Sequence, residues 1–364
     1  MICLCRFAGP LKCAVRTAEE LARKTDLHLV LSADADPALL PSREIRVTYV
    51  PTGASAIGNV ARTLSPFSYL RIRAAVRRFR PDVVHFAVEH AWNVLLHPIL
   101  HGYPLVQTIH DPVRHLGEAS RIYDRVRRVE LRHADRFIVL SHASAASMTR
   151  ETGLGERIDV VEHGAFEFDS QSWPHGQFPP PPLNSNLLFA GRFSPYKGID
   201  VLLRAFELVA RANARATLTL AGTGDISPYA RLLERLPRVT LINRYLSEAE
   251  MARLHADCDF VVAPYLDATQ SGVASMAISN GRPVIATRVG ALPEQVEEGV
   301  GGILVDPDNV EQLTTAMLSL LNEPQRILDL SASGKRRFRE RYGWPTLADK
   351  TLEVYQRAVG EALR

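Results

Sequence analysis

Short apolar runs alternate with amphipathic segments along the chain, and this alternation limits the fold more than any other feature. Runs typical of strands lie at residues 27–32, 83–86, 105–109, 137–140, 187–190, 217–221, 260–263 and 283–286. Segments with helical spacing of apolar residues lie between them, for example at 13–24, 199–212 and 247–256. Because strand followed by helix, repeated, is the pattern of parallel sheets with helices on both faces, we predict a doubly wound α/β protein.

The length and one break in composition predict how the chain is divided. At 364 residues the chain is long for a single core, and its length favours two domains. Six of the sixteen residues from 171 to 186 are Pro or Gly, so this stretch favours neither a helix nor a central strand. We therefore predict a first domain at residues 1–170, a linker at 171–186 and a second domain at 187–343.

Residues 344–364 carry a final helical pattern, with Pro345 in its first turn. We expect this helix to pack back toward the first domain. The expected architecture is two Rossmann-like domains that face each other across a cleft, with ligands at the carboxyl ends of the strands.

The composition argues against several classes of protein. No run approaches the ~18 apolar residues that a membrane helix needs, and we infer no export signal. The four cysteines lack the paired spacing of a zinc site, so we expect reduced thiols and a cytoplasmic protein. Asp-x-Asp triplets begin at Asp34, Asp257 and Asp306, and turns and helix caps explain each of them more simply than a metal does. We predict no metal and no cofactor.

A basic cluster lies in the first half of the chain. Residues 62–80 contain six arginines and no acidic residue. Basic helical faces of this kind attract anionic lipid headgroups, nucleic acid or only water. No nucleic-acid-binding module is recognisable, so we expect no nucleic acid as a partner. A solvated face is one expectation, and the other is peripheral contact with an anionic inner membrane face through Arg71, Arg73, Arg77 and Arg78.

The segment AGRFSPYKG, residues 190–198, follows an apolar strand and opens a helix. It places Arg192 and Lys197 at the carboxyl edge of a sheet, where the ligands of α/β proteins collect. A guanidinium and an ammonium beside a helix start suit a diphosphate, because both bind phosphate oxygens and the helix adds partial positive charge. The alternative is a solvated basic loop, and the spacing by itself does not decide between the two.

Nine segments in order along residues 80–309 resemble the retaining glycosyltransferases of family 4, which have the GT-B fold. The second half contributes AGRFSPYKG (190–198), LTLAGTGD (218–225), ADCDFVVAPY (256–265), NGRPVIATRVGALPE (280–294) and GGILVDPDN (301–309). The first half contributes RPDVVHFAVEH (80–90), PLVQTIHD (104–111), HADRFIVLSHAS (133–144) and DVVEHG (159–164). The resemblance implies transfer of a sugar from a nucleotide diphosphate sugar, with retained anomeric configuration and no required metal.

The resemblance also assigns roles to residues. Arg192 and Lys197 match the diphosphate-binding pair of the family, and His110 matches a histidine beside the transferred sugar; these three are the predicted catalytic residues. The predicted donor-binding residues all follow strands of the second domain: Gly191, Gly222, Gly224, Tyr245, Leu246, Thr269, Gln270, Ser271, Gly272 and Val273. Alternatives stay open, since glycines also serve tight turns, a lone tyrosine is often packing, and a histidine can cap a loop.

The sequence departs from the family at two positions. The family normally carries two glutamates eight positions apart, and the matching residues here are Ala268 and Met276. Neither side chain can accept a hydrogen bond from a sugar hydroxyl. The segment TQSGV, residues 269–273, stands in their place and resembles a loop variant that recurs in these transferases, which favours an active enzyme.

We therefore predict a retaining glycosyltransferase of the hexosyltransferase type, acting on a glycan or lipid-linked acceptor in bacterial surface polysaccharide synthesis. One alternative is a catalytically inactive protein of the same fold that binds nucleotide and scaffolds a partner transferase. A second alternative is a nucleotide-sugar epimerase, with Glu89, Glu162 and Glu294 as its candidate acid and base residues.

Overall fold

The computed structural model describes most of the chain as two compact units. The described residues are 1–6, 8–41, 45–53, 65–112, 121–168, 173, 177–236 and 238–362. The first unit holds the described residues up to Gly164 together with those from Trp344 onward, and the second unit is Ala165–Gly343. Arg62 of the basic cluster and most of residues 169–176 at the predicted domain junction lie outside the described residues.

Parallel strands form the sheet of the first unit in the order β3-β2-β1-β4-β5-β6-β7. The strands are β1 (Ile2–Cys3), β2 (His28–Ser32), β3 (Arg46–Val50), β4 (Val84–Phe86), β5 (Leu105–Ile109), β6 (Arg136–Val139) and β7 (Ile158–Val160). The helices between them are α1 (Ala8–Leu21), α2 (Pro66–Phe79), α3 (Asn93–Leu100), α4 (Arg121–His133) and α5 (His142–Thr152).

The helix Trp344–Ala362 belongs to the first unit, although it follows the whole of the second unit in sequence. Leu347, Ala348 and Val354 from this helix lie in one apolar cluster with residues of α1 and of the sheet. The Tyr355 hydroxyl lies 2.7 Å from Nδ1 of His85 on β4. The helix is therefore fastened to the first unit by both apolar packing and a buried hydrogen bond.

Parallel strands also form the sheet of the second unit, in the order β10-β9-β8-β11-β12-β13. The strands are β8 (Asn186–Ala190), β9 (Thr217–Gly222), β10 (Val239–Asn243), β11 (Phe260–Ala263), β12 (Val284–Thr287) and β13 (Gly302–Val305). The helices are α6 (Ile199–Ala212), α7 (Ala230–Leu233), α8 (Glu248–Asp257), α9 (Gly272–Ser279), α10 (Leu292–Val296), α11 (Val310–Asn322) and α12 (Pro324–Tyr342).

The apolar pattern of the sequence explains these elements. β11 and β12 are buried at every position, as expected for central strands covered on both faces. Ser247 and Glu250 form a reciprocal capping box at the start of α8. The prediction of two doubly wound α/β domains is confirmed.

In each sheet the order of strands reverses direction at one place. In the first sheet this is between β1 and β4, and in the second it is between β8 and β11. In open α/β sheets the crevice at the carboxyl end of such a switch point is where ligands bind.

The proline-rich segment before β8 packs on the second unit. The guanidinium of Arg282, a fully buried side chain, donates to the carbonyls of Pro179 and Pro180 at 3.0 and 3.2 Å. It also donates to the carbonyl of His255 at 2.5 Å. Because a buried guanidinium needs hydrogen-bond acceptors, these bonds hold Arg282 and the segment together.

Helices long and apolar enough to cross a bilayer are absent from the part of the chain that the structure describes.

Candidate functional site

The loops that carry most of the predicted site residues leave one edge of the second sheet. β8 ends at Ala190, β9 at Gly222, β10 at Asn243 and β11 at Ala263. Because these strands are parallel and adjacent in the order β10-β9-β8-β11, their carboxyl ends lie side by side. The predicted Arg192, Lys197 and 269–273 segment follow β8 and β11, the two strands at the switch point.

Arg192 and Lys197 both contact the tyrosine between them in sequence. The exposed guanidinium of Arg192 donates to the hydroxyl of Tyr196 at 3.3 Å, and Nζ of Lys197 lies 4.8 Å from the centroid of the same ring. The turn Pro195–Lys197 is a short 3₁₀ helix that leads into α6. The structure therefore brings the two predicted cations together on one loop.

Tyr265 contacts the Lys197 ammonium more closely than Tyr196 does. Nζ of Lys197 lies 3.6 Å from the centroid of the buried Tyr265 ring, within the range of a cation–π interaction. Burial raises the pKa of Tyr265 to about 12, against the opposing effect of its hydrogen bond with Ser271. The ring stays uncharged at neutral pH and supports the ammonium through its π face.

The predicted glycines are explained by close packing of two neighbouring loops. Gly222 and Gly224 have φ values of 156° and 148°. A Cβ on Gly222 would lie 1.8 Å from the carbonyl oxygen of Gly191, and a Cβ on Gly224 would lie 2.4 Å from that of Phe193. Close approach of a neighbouring backbone therefore requires glycine at both positions, and their role in donor binding stays a prediction.

Gly191 differs from those two glycines because its missing side chain leaves space. Its φ is 133°, and an added Cβ would meet only Cγ2 of Val273, at 3.8 Å. The loop after β8 and the first turn of α9 therefore lie next to each other.

The 269–273 segment forms the N-terminus of α9. Ser271 caps the helix, since its hydroxyl accepts from the amide of Ala274 at 3.1 Å. Gly272 and Val273 then occupy the first turn, where amides have no partner within the helix. Thr269 is buried, and the buried Oε1 atom of Gln270 has no hydrogen-bond partner among the described residues. Polar groups of the kind that a phosphate or a sugar hydroxyl could satisfy are thus grouped on the segment that adjoins the loop after β8 at Gly191.

The two positions that depart from the glutamate pattern are occupied by packing. Ala268 is buried, and its carbonyl oxygen lies so near Gly290 that a Cβ there would come within 1.6 Å. Met276 packs against an apolar cluster that includes Phe168 and Phe178.

Tyr245 and Leu246 follow β10 at the far side of this edge. Tyr245 is 82% exposed and Leu246 is half-buried. Asn243, at the end of β10, connects this loop to the others, because its side chain accepts from the amide of Gly224 and donates to its carbonyl.

His110 belongs to the first unit and lies at the end of β5. Its backbone amide donates to the carboxylate of Glu89 at 3.0 Å, and its ring Nε2 lies 3.1 Å from the carbonyl of Ala87. Because a carbonyl can only accept, Nε2 carries a proton.

Two other histidines of the first unit are uncharged at neutral pH. Burial lowers the pKa of His85 to about 3 and that of His163 to about 4. Both line a small cavity together with His110, Glu162 and Trp344.

The aspartate triplets have structural partners. The carboxylate of Asp34 accepts from the amides of Thr52 and Gly53, and that of Asp259 accepts from Asn184 and Ser185. The carboxylate of Asp306 accepts from the side chain of Gln312, and the cap of α11 is Asn309. No group of three or more His, Cys, Asp or Glu suited to a metal occurs among the described residues.

Sequence reasoning missed Tyr196, Tyr265 and Gln295 as parts of this site. Tyr265 follows a buried strand at the ligand edge, which is the same signal that singled out Arg192. Gln295 is a polar residue on the buried side of the short helix α10, and its side chain bonds to Ser271.

Two protein families match the chain, one in each half. The family described as Glycosyltransferase Family 4 matches residues 9–165. The family described as Glycosyl transferases group 1 matches residues 184–323.

Named relatives extend the similarity across most of the chain. A glycogen synthase of Mycobacterium tuberculosis is 30% identical over 294 residues, which cover 77% of this chain and 69% of that protein. An MMP alpha-(1->4)-mannosyltransferase of Mycolicibacterium hassiacum is 30% identical over 309 residues, which cover 78% and 72%.

Solved structures share the fold at low sequence identity. Anabaena HepE, crystallised in complex with UDP, superposes with a TM-score of 0.73 at 19% identity and covers 98% of each chain. A sucrose-phosphate synthase from Thermosynechococcus elongatus gives a TM-score of 0.73 at 18% identity over 99% of each chain.

Proposed function

The chain belongs to glycosyltransferase family 4, and from this premise we propose that it is a retaining hexosyltransferase that takes its sugar from a nucleotide diphosphate donor. The observation that carries the proposal is the grouping of Arg192, Lys197 and the N-terminus of α9 at the switch point of the second sheet. Two cations and a helix N-terminus at one place match the charge and shape of a diphosphate.

The chemistry assigned to this site is stabilisation of the leaving group. In the transfer, the bond between the anomeric carbon and the β-phosphate oxygen breaks, a bond to the acceptor hydroxyl oxygen forms, and the proton of that hydroxyl passes to the departing phosphate. Negative charge develops on the departing diphosphate, where fixed cations lower the barrier most. Lys197, held on the Tyr265 ring, and Arg192 are the groups that would meet this charge.

The donor loop 269–273 supplies the remaining contacts in this proposal. The amides of Gly272 and Val273 and the side chains of Thr269 and Gln270 would bind phosphate oxygens or sugar hydroxyls. The unpartnered Oε1 of Gln270 fits this role, because a bound hydroxyl would satisfy it.

For the nucleotide we propose uridine diphosphate first, since the fold neighbour Anabaena HepE was crystallised with UDP. The exposed ring of Tyr245, with Leu246 beside it, would cover the base. His110 is proposed to hydrogen-bond the transferred sugar through Nδ1.

The acceptor that we propose is a glycan or a lipid-linked sugar of bacterial surface polysaccharide synthesis. The supporting observation is the outer face of α2, where Phe67, Leu70, Arg71, Arg77 and Arg78 are exposed. Leu70 and Arg71 lie three and four residues after Phe67, and Arg77 and Arg78 lie seven residues after these two, so all five form one stripe along the helix. Apolar side chains beside arginines are the composition of a helix that lies on an anionic membrane surface.

A second candidate function rests on Ala268 and Met276. Both side chains pack against other residues and offer no carboxylate to a sugar. The alternative is therefore a protein that binds nucleotide without turnover and scaffolds a partner transferase.

One experiment separates the two. Purified protein is given UDP-, GDP- and ADP-sugars, and donor hydrolysis and transfer to lipid extract are followed together with calorimetry of the free nucleotide diphosphates. Turnover of one donor with retained configuration supports the transferase. Tight nucleotide binding without turnover of any donor supports the scaffold, and absence of both overturns the nucleotide proposal itself.

A further inference from the structure

We propose that Gln295 is a positioning residue of the donor site, which fixes the first turn of α9 and the Lys197 ammonium in a single arrangement. The inference rests on the proposed function, because it assumes that this turn and this ammonium bind the diphosphate. Neither the resemblance nor the site prediction from sequence assigns a role to Gln295.

The side-chain amide of Gln295 bonds to both backbone polar groups of Ser271. Its Oε1 accepts from the amide of Ser271 at 2.9 Å, and its Nε2 donates to the carbonyl of Ser271 at 3.3 Å. Nε2 also donates to the hydroxyl of Ser275 at 2.9 Å. Only Asn and Gln carry a side-chain amide, which accepts through its oxygen and donates through its nitrogen. Asn is one methylene shorter than Gln, so Gln is the residue that suits these partners.

The network continues from Ser271 to the cation. The hydroxyl of Ser271, which caps α9, lies 3.3 Å from the hydroxyl of Tyr265. The Tyr265 ring in turn carries Nζ of Lys197 at 3.6 Å. Gln295 is therefore bonded to a residue that contacts both proposed phosphate-binding elements, the helix N-terminus directly and the ammonium through one aromatic ring.

The side chains of this hydrogen-bond network are buried. Gln295 is 7% exposed, Ser275 and Tyr265 are fully buried, and Ser271 is nearly so. Loss of one partner inside such a network leaves the others unpaired, and the loop would then relax to satisfy them. Catalytic groups need their supporting residues to hold them within fractions of an ångström.

The test compares Gln295→Met with a control of similar structural cost. Thr314→Val removes a buried hydroxyl that bonds to the carbonyl of Val310, on α11 of the same unit and outside the network. We expect Gln295→Met to weaken UDP binding about 10- to 100-fold and to speed hydrogen exchange of residues 268–276. Thr314→Val should lower Tm but should change neither UDP binding nor hydrogen exchange of residues 268–276.

Ser275→Ala provides a second, milder variant, since it removes the acceptor of only one of the three bonds of Gln295. We expect it to fold and to weaken UDP binding by less than Gln295→Met does. If wild-type protein binds UDP and both variants bind it equally well, Gln295 is only a structural residue and the inference is overturned. If wild-type protein binds none of UDP, GDP and ADP, the proposed function fails instead.

Discussion

The proposed donor site places its two cations in different surroundings. Arg192 is exposed and donates a hydrogen bond to the hydroxyl of Tyr196, whereas Lys197 lies over the face of the buried Tyr265 ring. An ammonium held over a buried aromatic face is positioned before any ligand binds. Lys197 is therefore the residue whose replacement should disturb the chemical step most directly.

Replacement of either cation should lower catalytic efficiency. For Arg192→Ala or Lys197→Met we expect kcat/KM for the donor to fall about 100-fold or more, because one charge-stabilising donor is lost. Steady-state kinetics with the active donor measure this. Arg211→Ala, which removes an exposed arginine of α6 paired with Glu207, is the matched control and should keep wild-type rates. Wild-type rates in both site variants would refute the assignment.

Gly222 gives a prediction about stability at the same scale. Gly222→Ala should destabilise the fold by about 2 kcal/mol or more, since the new Cβ would strike the carbonyl of Gly191 at an unfavourable φ. Gly360→Ala, in open space on the last helix, should be neutral or slightly stabilising. Denaturant unfolding compares the two, and equal midpoints would contradict the close approach of the loops.

Helix α2 has one buried face and one exposed face that carries both apolar side chains and arginines. Ser68, Tyr69, Ile72 and Val76 are buried, while the stripe that begins at Phe67 is exposed. Arg73, one of the four arginines predicted to face a membrane, is half-buried. The exposed face is therefore less basic and more apolar than the composition suggested.

We expect this face to bind vesicles that contain phosphatidylglycerol at low salt. Each arginine near the surface contributes about 1 kcal/mol, an attraction that added salt weakens. In flotation assays, Arg77→Gln with Arg78→Gln should reduce binding, and Phe67→Ser with Leu70→Ser should reduce it at any salt concentration.

The control for this assay is α6, which also carries an exposed leucine beside an exposed arginine. Leu208→Ser with Arg211→Gln should leave flotation unchanged. A wild-type protein that stays unbound at low salt would end the membrane proposal.

At the scale of the whole molecule, buried histidines predict how stability depends on pH. Burial lowers the pKa of His85 to about 3 and the pKa values of His97, His163 and His255 to about 4. As pH falls below about 6.5, these histidines take up protons in the unfolded chain but not in the folded chain, and this favours unfolding. The free energy of unfolding is therefore not reduced by them above pH 6.5 and decreases as pH falls toward 4.

Tm should therefore fall steeply between pH 6.5 and 4.5. Burial raises the pKa of Glu130 to about 8, which acts in the opposite direction, but the histidines above and His90, whose pKa burial also lowers to about 4, act together against it. Thermal unfolding across this range measures the effect, and His85→Gln should flatten the slope. A Tm that stays constant down to pH 4.5 would contradict the burial of these rings as uncharged groups.

The sequence predicted the fold well because the fold depends on repeated patterns. Apolar runs such as 260–263 and 283–286 coincide with central strands, since strands buried on both faces need uninterrupted apolar residues. Short edge elements such as β7, with no fully buried position, carry too little pattern to be recognised.

The site was predictable only where a residue type stands out at a strand end. Arg192 and Lys197 were predicted in this way, because cations at the ligand edge of a sheet are conspicuous in sequence. Gln295 was not, because its partner Ser271 is 24 residues away and the bond depends on how α9 and α10 pack. The reason why positions 222 and 224 are glycines likewise became visible only with the position of a neighbouring loop.

The central claim is that Arg192 and Lys197 hold the diphosphate of a nucleotide sugar, and a crystal structure of the protein with UDP tests it most directly. The account predicts diphosphate oxygens within about 3.2 Å of Nζ of Lys197 and of the Arg192 guanidinium, beside the first turn of α9. UDP bound elsewhere, with both side chains directed into solvent, would contradict it.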